Sequence, residues 1–299
     1  MSYVEYYAYF GAMKKEARGH IGIFDSGIGG LSVWRELRRL LPDVPITYLA
    51  DQQFCPYGEK SDAAIQERSR QITSHLLYEH HCQLVIVACN TATAAAIDDL
   101  RSHFPTTPII GMEPAVKPAA LRTQTGNVGL LATAGTLRGR LFRETRERFA
   151  SHITLHTQIG HGLVELVETG KADSPEAEVI LKHYLKPMLA ANIDHLVLGC
   201  THYPFLEPVL QKLMPASVRI LNPADAVARQ VLRKFERRQL QKGTPTDLFL
   251  TTLPSGSSAL HRMVTHYLPQ DNQTARFSSV SLNQTKKKTS HPTNNTPTK

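Results

Sequence analysis

The feature that most constrains this chain is an alternation of two periods. Short runs rich in Ile, Val and Leu, "HIGIF", "ITYLA", "LVIVAC" and "TPIIGM", are separated by longer stretches whose apolar residues recur at helical spacing. The alternation then resumes with "NVGLLAT", "ITLHT", "HLVLGC", "VRILN" and "DLFLTT". A strand without polar alternation is buried on both faces, and strands alternating with helices form largely parallel sheets that those helices cover. Helices are expected over 31–41, 62–80, 92–104, 137–149 and 176–191, with Pro42, Pro105 and the Gly160 to Gly162 segment as punctuation.

The order runs twice. "IGIFDSGIGG" and "VGLLATAGT" each place a Gly-containing strand before a small-residue turn and a helix, and Gly22 and Gly129 lie 107 positions apart. Cys89 and Cys200, each closing a later apolar run, lie 111 positions apart. The expectation is an α/β fold of two similar domains with largely parallel sheets, related by pseudo-two-fold symmetry. Ligands of parallel sheets gather at the carboxyl ends of the strands. A cleft between the domains then carries a thiol on each wall.

Composition narrows the setting. At 299 residues, with 41% hydrophobic and 20% charged content, the chain can bury two modest cores or one large one. Its apolar runs fall far short of the roughly 20 residues that span a bilayer. The start places Glu5 within its aromatic stretch and its basic residues afterwards, the reverse of a secretory signal, so a cytoplasmic protein without membrane contact is expected. The formal charge of +8 is concentrated at the ends and leaves only +3 on residues 20–270. Lys286, Lys287 and Lys288 sit among Ser, Thr, Asn and Pro, which reads as a basic disordered tail, with nucleic-acid contact the minor reading.

Cys55, Cys82, Cys89 and Cys200 are too few for a disulfide framework in a chain this long. Cys82 in "EHHCQL" reads as a small core filler, and Cys55 in "QFCPYG" as a loop residue with no evident partner. "HHC" lacks the paired spacing of a zinc site, so no metal is expected.

Two facing thiols can do what one cannot. A base on one face of a carbon removes its proton while an acid on the other face returns one, and the stereocentre inverts. A thiol suits both roles, since its pKa of about 8.5 can be lowered by a helix N-terminus or a cationic neighbour. Asn90, Thr91 and Thr93 follow Cys89 where a helix begins, supplying hydroxyls, an amide and free N–H groups for a carboxylate. His202 lies two residues after Cys200, on the same side of an extended segment, where it could exchange the thiol's proton. "FDSGIGG" has neither a P-loop lysine nor the G-x-G-x-x-G spacing. Asp25 and Ser26 suit an ammonium group and the tuning of a thiol better, although Asp25 could equally serve as a helix cap.

These residues carry a resemblance. "DSGIGG", "PYG" (Pro56 to Gly58), "ACNTAT", "EPA" (Glu113 to Ala115), "GLLATAGT", "LVELVETG" and "LGCTHYP" stand in the order found in the glutamate racemases, cofactor-independent members of the aspartate/glutamate racemase superfamily. The chain resembles them from about Gly22 to Leu268. The resemblance implies that Cys89 and Cys200 are the catalytic acid/bases, Asp25 assisting the first and Glu168 and His202 the second. Asp25 and Ser26 would contact the substrate's amino end, with Tyr57, Gly58, Asn90, Thr91, Thr201 and His202 completing the site. It further implies glutamate as substrate, no cofactor, D-glutamate supply for peptidoglycan, and room for a peptidoglycan-precursor activator and a homodimer. The chain would return after about Asn222 to complete the first domain. The expected division is then a 1–19 extension, a first domain of 20–113 plus 222–268, a second domain of 114–221, and a 269–299 tail.

The sequence departs from the family pattern at Gly160 and His161, where Cys-Pro is common, at Gly139 and Phe142, where Ser and Tyr are usual, and at Asn222, commonly Asp. No signature of a pyridoxal-phosphate lysine or phosphate cup is found, and relatives that decarboxylate rely on one cysteine. The rival readings are a racemase of aspartate or another acid in the same superfamily, and a non-catalytic bilobal ligand-binding regulator. Tyr3, Tyr6, Tyr7, Tyr9 and Phe10 make residues 1–19 either a regulatory segment, an inert strap, or sequence upstream of a true start at Met13.

Overall fold

The computed structural model describes residues 20–234, 246–268 and 275–282. The 1–19 extension and most of the expected basic tail, including Lys286 to Lys288, lie outside the described residues.

Ten strands are present among them: β1 (Ile21–Asp25), β2 (Ile46–Ala50), β3 (Leu84–Val87), β4 (Ile109–Gly111), β5 (Asn127–Ala132), β6 (Thr154–Ile159), β7 (His195–Gly199), β8 (Arg219–Leu221), β9 (Leu248–Thr251) and β10 (Arg276–Ser279). They form two sheets, ordered β10-β9-β2-β1-β3-β4 and β6-β5-β7-β8, and every pairing is parallel. The doubled pattern in the sequence is thus a doubled topology. β2-β1-β3-β4 and β6-β5-β7-β8 follow the same order, so β3 and β7 are equivalent strands. In each sheet the order reverses around the first strand, which opens a crevice at the carboxyl ends. Cys89 and Cys200 lie just beyond those ends.

The first sheet is completed by chain from far downstream. Phe249 of β9 packs against Trp34 and Tyr48, with ring centroids 5.4 and 5.9 Å away. Asp247, just before β9, accepts hydrogen bonds from the Trp34 indole (3.0 Å), the Ile46 amide (3.1 Å) and the Arg38 guanidinium (2.5 Å). One buried carboxylate therefore joins the helix Leu31–Leu40, β2 and the returning segment.

Two expectations need correction. The sequence reads as a disordered tail from residue 269 onward, yet Arg276–Ser279 form β10 at the edge of the first sheet. A single aromatic explains it: Phe277 stacks on Phe249 at 5.1 Å and against His261 at 4.4 Å, while its neighbours in the strand stay exposed. The helix expected over 137–149 is two helices, Ala134–Arg138 and Arg140–Phe149. Gly139 between them is extended, with ψ 142°, and its Cα faces Ala94 so closely that a Cβ would lie 2.6 Å from the Ala94 methyl. The first piece buries Gly135 and Thr136 and the second Phe142, so the apolar spacing does not record the backbone interruption at Gly139.

Two of the longer helices begin at serine caps. Ser61 accepts from the Ala64 amide at the start of Asp62–Tyr78, and Ser174 from Ala177 ahead of Pro175–Ala190, where Pro175 occupies the first turn. Among the described residues no helix is long and apolar enough to cross a membrane.

Candidate active site

Cys89 occupies the N-cap of the helix Asn90–His103, in extended conformation directly after β3. Its Sγ accepts from the Ala92 amide at 3.4 Å and lies 4.0 Å from the Ser26 hydroxyl. A thiol here replaces the usual Ser or Asp cap, so the helix end directs an N–H at sulfur. Cys200 follows β7 and continues into a turn instead of a long helix, with Sγ 3.7 Å from His202 Nδ1. The two thiols are only 5% and 7% exposed, yet both line one cavity.

That cavity has about 60 Å³ of free space, several times the roughly 10–15 Å³ that admits one water on the same measure. Of the residues expected at the site, Ser26, Tyr57, Gly58, Asn90, Thr91, Thr201 and His202 lie on its wall together with the two cysteines. Asp25 and Glu168 do not line it; they stand behind it. Asp25 is fully buried at the end of β1, one oxygen accepting from the Gly27 amide (3.0 Å) and the other from the Thr201 hydroxyl (3.1 Å). In this arrangement it braces the cavity wall from behind, through the Gly27 amide and the Thr201 hydroxyl.

Glu168, at the end of the helix Leu163–Glu168, bridges the two halves. Its Oε1 lies 2.6 Å from His202 Nε2 and accepts from the Ile28 amide at 2.6 Å, while Oε2 accepts from Gln52 at 3.0 Å. The glycines of "DSGIGG" serve this approach: a Cβ on Gly27 would overlap the Glu168 carboxylate, and one on Gly29 the His202 ring. Their role is close passage of backbone past side chains, not a phosphate cradle.

The electrostatics of the two thiols differ. Burial pushes the Cys89 thiol up and the Asp25 charge adds to this, while the Ala92 N–H and Ser26 pull it down. Burial opposes the charged form of His202, but its contacts with Cys200 and Glu168 and the nearby Asp25 charge raise its pKa well above the ordinary 6.5. Burial likewise pushes Glu168 up, yet the His202 hydrogen bond and charge, with the Ile28 and Gln52 donors, hold it below 4.5. Both directions describe one ion pair, imidazolium and carboxylate, beside Cys200. Asp25 is raised by burial despite His202 and the Gly27 amide.

Some wall residues were not singled out from sequence as site groups: Glu59, Thr133, Ile159, Val164 and Glu165. Thr133 hydrogen-bonds Thr91 at 2.8 Å across the two halves, and a Ser/Thr beginning a helix after an apolar run was the available signal. Gly160 and His161, the departures from the family pattern, also lie on the wall. Behind Tyr57 sits Asp51, fully buried, taking bonds from the Tyr57 hydroxyl (2.6 Å), Arg68 (2.6 and 2.8 Å) and Thr252 (2.8 Å).

Among the described residues, one group of three potential metal donors occurs: Cys55, Glu168 and His202, with donor atoms within 4.8 Å of one another. Both ring nitrogens of His202 are already engaged, by Glu168 and Cys200, so the donor set is better matched to proton handling. Cys82, as expected, is packed in the core under Gly22.

Comparison with known proteins agrees with this geometry. Residues 21–231 match the family model described as Asp/Glu/Hydantoin racemase. A glutamate racemase of Ectopseudomonas mendocina is 48% identical over 77% of this chain and 87% of its own length. The crystal structure of Escherichia coli glutamate racemase in complex with L-glutamate and the activator UDP-MurNAc-Ala superposes with a TM-score of 0.78 at 34% identity, covering 88% of this chain and 98% of that one. The Francisella tularensis glutamate racemase, solved with D-glutamate, gives 0.75 at 28% identity, with 89% and 98% covered.

Proposed function

The chain belongs to the Asp/Glu/hydantoin racemase family, and from that premise we propose that it interconverts L- and D-glutamate by passing protons between two cysteines without a cofactor. The observation that carries the reading is the placement of Cys89 and Cys200 at the ends of equivalent strands, β3 and β7, on the wall of one cavity. Glutamate as the substrate is supported by the relatives solved with its two enantiomers.

In the D-to-L direction Cys89, as thiolate, takes the Cα proton. The electron pair of that bond remains on the substrate as a carbanion next to its carboxylate, and Cys200 delivers its S–H proton to the opposite face. Cys89 leaves as thiol and Cys200 as thiolate, so protons and charge balance and the reverse reaction begins from the other wall. The Ala92 N–H and the helix N-terminus favour the Cys89 thiolate. His202, kept cationic by Glu168, does the same for Cys200. Asn90 Oδ1 is a buried acceptor with no hydrogen-bond partner among the described residues, and it suits the substrate ammonium. Asp25 acts from behind, through Gly27 and Thr201.

The same reading treats 20–113 with the returning segment from 222, β10 included, and 114–221 as the two domains whose closure forms the cavity. It places the enzyme in the cytoplasm, supplying D-glutamate to peptidoglycan synthesis. An activator like that bound by the Escherichia coli protein belongs to it as well, with residues 1–19 as the responsive segment; a chain starting at Met13 should lose any response to UDP-N-acetylmuramoyl-L-alanine. The decisive test is incubation of the purified protein with L-glutamate in deuterated water without added cofactor. Appearance of D-glutamate labelled at Cα is expected; unchanged, unlabelled L-glutamate would exclude the reading.

A further inference from the structure

The loop after β2 carries a side chain that no part of the reaction above uses. Gln52 donates from Nε2 to Glu168 Oε2 at 3.0 Å and accepts at Oε1 from the Thr251 hydroxyl at 2.8 Å. Thr251 ends β9, 199 positions away in the chain. The adjacent residues are held from the same strand end: Thr252 donates to Asp51 and accepts from the Gln53 amide at 3.0 Å. A continuous series of contacts thus runs from Thr251 through Gln52, Glu168 and His202 to Cys200.

We infer that Gln52, oriented by Thr251, is a positioning residue for the Cys200 half-reaction, holding the Glu168 carboxylate in the one rotamer that serves His202. This rests on the racemase reading for its meaning, though the contacts stand without it. An amide fits the position because it is the only neutral side chain of this length with a donor for Glu168 and an acceptor for Thr251 at one end. A carboxylate in its place would face Glu168 with like charge, and an apolar side chain would leave Oε2 without this donor. The other titratable groups that face Glu168 are His202 after β7, Asp25 of β1, Tyr48 of β2, Cys55 of the loop and Tyr267 of the helix Ser257–Tyr267. Of these only His202 supplies a countercharge, so removing the Gln52 donor raises the pH at which Glu168 takes up a proton.

The experiment compares the wild type with Gln52→Leu, Gln52→Glu and Thr251→Val. In the pH profile of kcat, the acidic limb should move upward by about one unit in Gln52→Leu and further in Gln52→Glu, with a smaller move in Thr251→Val. Histidine NMR titration of the folded proteins supplies a readout independent of turnover: His202 should lose its proton at lower pH in Gln52→Leu than in the wild type. Uniformly reduced kcat with an unmoved limb and an unchanged His202 titration would overturn the inference. Should Gln52→Leu fail to fold, Thr251→Val answers the same question with the amide in place. A wild-type chain inactive on glutamate would count against the proposed function alone, because the His202 titration would still decide the role of Gln52.

Discussion

The walls carrying Cys89 and Cys200 are built on the same strand order but prepare their thiols by different means. On the first wall the groups that favour the thiolate are neutral, a helix N-terminus, the Ala92 amide and the Ser26 hydroxyl, and the nearby Asp25 charge opposes them. On the second it is ionic, a His202–Glu168 pair reaching across the cavity's rear to Ile28 and Gln52 of the first half. The comparison teaches that duplicated topology supplied two equivalent positions, and the residues following each strand then made them unequal. A racemase tolerates this inequality, because glutamate enantiomers are equal in energy and only the distribution of kcat and KM between directions can differ.

The most severe test of the comparison removes either sulfur. Cys89→Ser and Cys200→Ser should each reduce racemisation by about 10²–10⁴-fold in both directions, since a hydroxyl is a far weaker acid and the stereochemistry needs both faces. Near-normal turnover in either variant, measured by circular dichroism, would end the two-base account. Next in size is loss of the ion pair. Glu168→Gln should lower kcat by about 10-fold or more, and Cys200 should then be alkylated more slowly than in the wild type while Cys89 is alkylated at an unchanged rate. Equal slowing at both thiols would show that the walls are not separately tuned.

A finer contrast lies in direction. Asp25→Asn and His202→Asn should bias kcat of the two directions oppositely, and an identical bias in both would dissolve the assignment of helpers to walls. Smaller still is the contribution of the pair to stability. His202 is raised above 6.5, so its share is fully present below that pH and lost as pH rises through the folded value. Glu168 is depressed below 4.5, so its share is present above that pH and lost as pH falls through the folded value. The urea midpoint of the wild type relative to Glu168→Gln should therefore show its widest gap between about pH 4.5 and 6.5. A gap independent of pH would mean the pair is not ionised.

The doubled sheets and both thiols were legible because uninterrupted apolar runs mark buried parallel strands, and a cysteine at the end of such a run is visible by eye. The break at Gly139 was not, since amphipathic spacing reports which side is buried and carries no record of a backbone that must pass close to Ala94. β10 carries no periodic signal, because "RFSS" offers one aromatic residue whose stacking partner Phe249 lies in another strand. The position of Asp25 at the end of an apolar run was legible, but its two hydrogen bonds, to the Gly27 amide and to Thr201 of the other half, are not encoded in sequence spacing. Gln52 has no sequence signal at all, because its two partners come from Glu168 and Thr251, in separate parts of the chain.

The parallel edge shared by β2 and β9 also sets an order of assembly. During synthesis β1 to β4 leave the ribosome early, yet β2 keeps an open edge of unpaired N–H and C=O groups until Leu248–Thr251 has been made. The sheet β6-β5-β7-β8 comes from one contiguous stretch and needs no such wait. Local pairings close faster than distant ones, and domains complete in the order their strands become available. The sheet bearing Cys200 can thus close while the sheet bearing Cys89, translated 111 codons earlier, still lacks its β9 edge. A nascent chain arrested before β9 would hold both thiols and one complete sheet, exposing an unpaired strand edge to any neighbouring polysome product.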